Sequence, residues 1–150
     1  MTLQEANRII EATLAKAREL GLPPMGCAVL DPGGHLVAFQ REDGLGFVRI
    51  KVCSAKAWGA LGTGVGSRAL AERYASGVVQ EGFINSLGAM TGGMVVPLAG
   101  GVLVHDAAGR AIGAVGVSGA QADEDEACAI AGILAVGHTA VPGAPVKAGA

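Results

Sequence analysis

The run Gly113-Ala-Val-Gly-Val-Ser-Gly119, followed by Asp123-Glu-Asp-Glu126, restricts the fold more than any other part of the chain. An apolar, glycine-punctuated strand ends at Ser118-Gly119, and a helix opens with consecutive carboxylates in its first turn. A helix N-terminus carries roughly half a positive charge, which acidic side chains offset. Asp123 suits the cap position, where its oxygen can accept a first-turn N–H. The junction therefore reads as strand to helix. The acids are explained by the helix dipole, although several oxygens in a row are also what a hard cation takes.

Similar signals organise the rest of the chain. Thr2-Leu-Gln-Glu5 has the form of a capping box. Leu3, Ala6, Ile10, Thr13, Leu14, Ala17 and Leu20 follow at helical spacing until Gly21 and Pro23-Pro24 stop the pattern. Gly26–Leu30 and Leu36–Gln40, joined by Asp31-Pro-Gly-Gly34, form a hairpin signal closed by Arg41-Glu-Asp-Gly44. Helices are predicted from about Arg49 to Leu61, from Arg68 to Ala75 with Ser67 as cap, and from about Val79 to Met90. Strands are predicted at Met94–Pro97, Gly101–His105 and Ala111–Ser118, the last two joined by Asp106-Ala-Ala-Gly109. A final helix runs from Glu124 to about Gly137. This order implies an α/β chain of the α+β type: an antiparallel sheet of about five strands with helices packed on it. Residues 1–138 are expected to form one domain, and 139–150, with Pro142 and Pro145, a flexible tail. The two hairpins share an Asp-x-x-Gly turn, an internal echo.

Composition narrows the function. With 51% hydrophobic and 16% charged residues the chain has the makings of a core, and its net charge of -2 offers nothing to a nucleic acid. Phe39, Phe47, Trp58, Tyr74 and Phe83 are its few aromatics, too sparse for a base-stacking platform. No apolar stretch is long enough to cross a bilayer, so no membrane partner is expected. Glu5, Arg8 and Glu11 interrupt any secretion signal, and the odd, scattered Cys27, Cys53 and Cys128 read as reduced thiols. A cytoplasmic location is expected.

Several residues are candidates for chemistry. His35, after the first hairpin turn, could ligate haem iron or another metal, or be a solvated turn residue. His105 ends a strand beside Asp106, which could orient it as ligand or base. Alternation places Leu103 and His105 on one face and Val102 and Val104 on the other. His138 suits the C-terminal end of the last helix. Arg41, Arg49, Lys51 and Lys56 could grip carboxylates or pair with Glu42 and Asp43. Cys53, near a helix start and Arg49, is either an activated or a packed thiol. Gly62-Thr-Gly-Val-Gly66 lacks the Lys-Ser/Thr of a phosphate loop.

Ala28-Val-Leu-Asp with Gly33-Gly-His, Arg41-Glu-Asp-Gly44, Lys56-Ala57 and Arg68-Ala-Leu-Ala-Glu form one set of motifs. Gly92-Gly, Val96-Pro, Gly100-Gly-Val and the Gly113–Ala127 junction form another. On these the chain resembles the GlcG/HbpS family, whose domain also forms the C-terminal part of PduO-type cobalamin adenosyltransferases. The resemblance runs from Thr2 to about Ala135. It implies a profilin-like sandwich that self-associates into a homo-oligomer, and a small-molecule partner. Family members are described as binding haem or corrinoids, sensing redox state, or accompanying glycolate and diol metabolism. Trp58, Gly59 and Gly62 depart from the Ala or Thr more usual in the family's second helix. The leading expectation is a haem- or tetrapyrrole-binding protein using His35 or His105, with Arg41, Arg49 and Lys56 on the propionates. One alternative is an enzyme on a small carboxylate-bearing metabolite, with His35, His105 or Glu81 as acid/base. The other is a structural or regulatory subunit without chemistry.

Overall fold

The structure, a computed structural model, describes residues 1–143. The chain opens as its first residues predict. Thr2 Oγ1 accepts the Glu5 N–H at 3.1 Å, and the Glu5 carboxylate accepts the Thr2 N–H at 2.8 Å. Helix α1 (Leu3–Glu19) leads into β1 (Gly26–Leu30) and β2 (Leu36–Arg41). Then come α2 (Arg49–Thr63), α3 (Ser67–Ala75) and α4 (Glu81–Met90). After them β3 (Gly101–His105), β4 (Ala111–Ser118), α5 (Ala122–Ala135) and β5 (Thr139–Val141) complete the order. The five strands form one sheet, β2-β1-β4-β3-β5, with every neighbouring pair antiparallel. The α+β architecture is as expected.

Alternation along the strands sorts the core into two sides. Cys27, Val29, Val102, Val104, Val115 and Val117 join the α1 and α5 side chains on one face. Leu30, Leu103 and Ala114 meet Ala57 and Ala60 of α2 on the other. Glycine lets α2 lie this close. Gly101 and Gly116 are cross-strand partners. A Cβ on Gly116 would fall 1.9 Å from the Cys53 carbonyl oxygen, and one on Gly101 would fall 2.2 Å from that of Lys56. The helix backbone occupies the space that side chains would take.

The two hairpin turns are built alike. Asp31 Oδ1 accepts from Gly33 N and His35 N at 2.9 and 3.0 Å; Asp106 Oδ1 accepts from Ala108 N and Arg110 N at 2.9 Å each. Gly34 and Gly109 take left-handed φ of +81° and +76°, which glycine adopts without a Cβ penalty. Each hairpin also carries a register shift just before its turn, at Val29/Leu30 and Val104/His105. Because β1 and β3 both run antiparallel to β4, the two turns lie at the same end of the sheet.

Four local expectations change. Met94–Pro97 is irregular chain rather than a strand, because the sheet edge beside β3 is filled by β5. Thr139–Val141, expected in a loose tail, is that strand; the rest of the expected tail, from residue 144, lies outside the described residues. Gly66, not Ser67, caps α3, and the Ser67 hydroxyl instead accepts the Gly101 N–H at 2.7 Å. Gln121, not Asp123, caps α5.

Candidate functional site

At the hairpin end of the sheet, the first turn meets the C-terminal half of α2. His35 Nδ1 lies 3.2 and 3.3 Å from the two Asp31 carboxylate oxygens. Asp31 is held below the usual carboxylate range, first by the His35 backbone N–H. An ionised carboxylate only accepts, so the shared proton sits on Nδ1. The His35 side chain is 80% exposed, and among the described residues its hydrogen bonds are those of Nδ1 to Asp31. Glycine leaves room for the ring: a Cβ on Gly33 would stand 2.9 Å from it. One on Gly34 would stand 3.0 Å from the Trp58 indole. The turn that carries His35 also borders a cleft of about 130 Å³, bounded by Pro32, Gly33 and Gly34 on one side and by Trp58, Leu61 and Gly62 on the other; His35 itself does not line it.

Trp58 also walls a second, larger pocket of about 320 Å³ between α2 and α4. Gly59, Gly62 and Thr63 form its α2 side, with Phe83 and Leu87 facing them from α4. Below, Leu70, Ile84 and Val95 make a small buried cluster against which Trp58 and Leu87 pack.

The predicted cations are found elsewhere. At about 1.5 Å per residue, Arg49 stands about 13 Å from Trp58 along the α2 axis. Its Nη1 donates to Ser118 Oγ at 3.0 Å, at the end of the sheet opposite the hairpin turns. Arg41, exposed, is the cross-strand partner of Gly26, which also pairs with Ser118, so it belongs to the same end. Lys56 is committed to the interior: its Nζ donates to Asp125 Oδ2 at 2.9 Å and to the Val117 carbonyl at 3.0 Å. Burial pushes Asp125 up, while Lys56 and the Ala120 N–H oppose that. The His35 imidazole and the cations therefore do not form one site.

His105, half-buried in β3, sits between Ala111 and Thr139 on the neighbouring strands. Asp106 turns away to its own turn and to Arg110, whose Nε donates at 2.8 Å. The carboxylate partner expected at His105 is found at His35 instead. Glu81 is the exposed first residue of α4, and His138 Nε2 lies 3.2 Å from Glu5. The acidic run is taken up by protein partners. Arg68 joins Asp123 and reaches both Glu126 oxygens at 2.8 and 3.0 Å, while Glu124 accepts the Gln121 N–H. Cys53 is packed and unreactive: its Sγ donates to the Gly26 carbonyl, and burial pushes the thiol up to about 12. Among the described residues, no cluster of three or more His, Cys, Asp or Glu could hold a metal ion.

Residues 1–134 match the family model described as haem degrading protein HbpS-like. The chain belongs to the HbpS-like family. Solved structures agree with that placement in fold. HbpS of Streptomyces reticuli, in a doubly substituted form, is 27% identical with a TM-score of 0.75, over 92% of this chain and 88% of that one. Protein ORFY of Klebsiella pneumoniae is 26% identical with a TM-score of 0.79, over 91% and 90%. A PduOC:haem complex, at 24% identity, has a TM-score of 0.78 over 92% and 96%, and speaks to the fold alone. No curated protein matches the sequence.

For this HbpS-like chain, residue reading named His35 but missed Asp31 as its partner and Trp58 as the shared wall of two pockets. The Asp31 signal was present, since an Asp-x-x-Gly turn presents its carboxylate to the residue that follows the turn. Trp58 is conspicuous as the lone tryptophan, beside two helix glycines whose cost close packing against a ligand or a neighbouring subunit would offset. The pocket needed α4, whose position no local pattern encodes.

Proposed function

We propose that this HbpS-like protein binds haem or a related tetrapyrrole at the Trp58 cleft, with His35 Nε2 as the ligand to the metal. The observation that carries the reading is the Asp31–His35 pair beside an aromatic wall. Metal-ligating histidines characteristically donate their other ring N–H to a carboxylate, which fixes the tautomer and raises ligand basicity. Asp31 and His35 have that relation. Pro32, Leu61 and the Trp58 ring offer apolar surface for the body of the ligand. The Asp31–His35 donor fits the metal of the group that the family description implies, whereas the cleft, at about 130 Å³, is too small to enclose a whole tetrapyrrole, most of which would stay outside it. Bound haem would supply iron chemistry. The chain's part would be to hold the Nδ1 proton at Asp31, leave Nε2 as the donor to the metal, and offer the Trp58 side chain as apolar surface. Arg41, Arg49 and Lys56 take no part at this end. A corrinoid would use the same donor. Self-association and a cytoplasmic location belong to the same proposal.

Hemin titration followed at the Soret band tests it. Wild type is expected to saturate at one to one. His35→Ala should move the band and weaken binding at least tenfold, Asp31→Ala should weaken it less, and His105→Ala should change neither. A shallow curve, the same in every variant, would refute the assignment.

A further inference from the structure

We propose that the pocket between α2 and α4 is a second binding site, for a neutral apolar molecule about the size of two fused aromatic rings. It lies on the other side of Trp58 from the His35 cleft and does not rest on the haem reading. Size is the first argument. An engineered apolar cavity of about 150 Å³ holds benzene; this pocket, at about 320 Å³, has roughly twice that room. Its walls set the chemistry. Trp58, Phe83, Leu87 and Val95 present hydrocarbon, and no charged side chain lines it. The two hydroxyls at its edge have already given their protons to helix carbonyls, Thr63 Oγ1 to Gly59 O at 2.7 Å and Thr91 Oγ1 to Leu87 O at 2.6 Å, so neither has a proton left to donate to an anion. A charged or strongly polar ligand would lose its water there without compensation.

The glycines of α2 supply the second argument. Each costs about 1 kcal/mol against alanine in a helix interior. A Cβ on Gly59 would meet Val95 at 3.5 Å, and one on Gly62 would meet the Trp58 ring at 3.6 Å, both ordinary contacts. Alanine is therefore permitted by the protein's own packing at both positions. What glycine adds is open floor in the pocket. Opposite, Phe83 remains 56% exposed although it lines an apolar site. An aromatic ligand would cover it.

Calorimetric titration with naphthalene, and with 2-naphthoate as the charged counterpart, decides the matter on the full chain. Naphthalene is expected to bind once, and 2-naphthoate at least tenfold more weakly. Leu87→Phe and the milder Gly59→Ala, which both reduce the pocket while leaving the His35 cleft intact, should weaken naphthalene and leave the hemin titration unchanged. Three results would overturn the proposal: no saturable naphthalene binding to wild type, equal binding of the two probes, or undiminished binding by both variants when they melt at or above the wild-type temperature. Competition between naphthalene and hemin would overturn the separateness of the two sites, whereas a failed hemin titration alone would leave this one standing.

Discussion

Lys56 and Asp125 show what single residues contribute. Their side chains are 1% and 2% exposed, so each charge depends on the other. Removing one partner from a buried pair leaves an uncompensated charge and costs about 3–5 kcal/mol, whereas replacing both with apolar groups is often close to neutral. Lys56→Ala or Asp125→Ala is therefore expected to lower stability in urea unfolding by that amount, and Lys56→Met with Asp125→Leu to recover most of it. A lysine flanked by Ala55, Ala57 and Trp58 indicates in the sequence that Lys56 needs a partner, but not which one: Asp125 is 69 residues away and arrives only when α5 starts over the β4 end. The turn aspartates behave differently. Asp31 and Asp106 both have lowered folded pKa values, chiefly through backbone N–H groups of His35 and Arg110. A lowered carboxylate stabilises above its unfolded pKa and loses that contribution as pH falls through the folded one. The contribution of these two turns should thus be complete above about pH 5 and be lost as pH falls below about pH 4. Asp106→Asn should flatten that acid limb in thermal melts at a series of pH values.

Among the elements, α2 carries most of the arrangement. Its buried side rests on Gly101 and Gly116, and its other side builds two pockets around Trp58. The same residue type therefore has opposite meanings within one packing layer. Gly116→Ala would drive a methyl into the Cys53 carbonyl and is expected to cost several kcal/mol or prevent folding. Gly62→Ala meets only ordinary contact and should stabilise the helix by about 1 kcal/mol; thermal denaturation of the two variants separates the cases. Sequence periodicity located α1, α2 and both hairpins, because each is specified by residues close to one another. It failed at Met94–Pro97, where apolar residues promised a strand. That segment instead packs Val95 under Trp58, and three residues from beyond α5 take the sheet edge. Edge occupancy is decided by the whole sheet, not by the segment.

Across the molecule, the two ends of the sheet have separate characters. The turn end offers an imidazole, glycines and an indole; the opposite end holds the Lys56 and Arg49 hydrogen bonds. Family membership was legible from motifs spread along the chain, since they mark the strand ends, turns and helix starts that any such fold must keep. The division of the candidate residues between the two ends was not legible, because it depends on the direction in which α2 crosses the sheet. The two Asp-turn hairpins are local, each closing over a few residues. The pairing of β1 with β4 is different: it brings Gly26 to Ser118, with β2, α2, α3, α4 and β3 all lying between them in the chain. Loop closure over such a span must be met before its contacts are gained. The joining of the two hairpins along their common seam is thus expected to limit the folding rate, with the pocket-bearing helices α2 and α4, and α3 between them, inside the loop that this joining ties off.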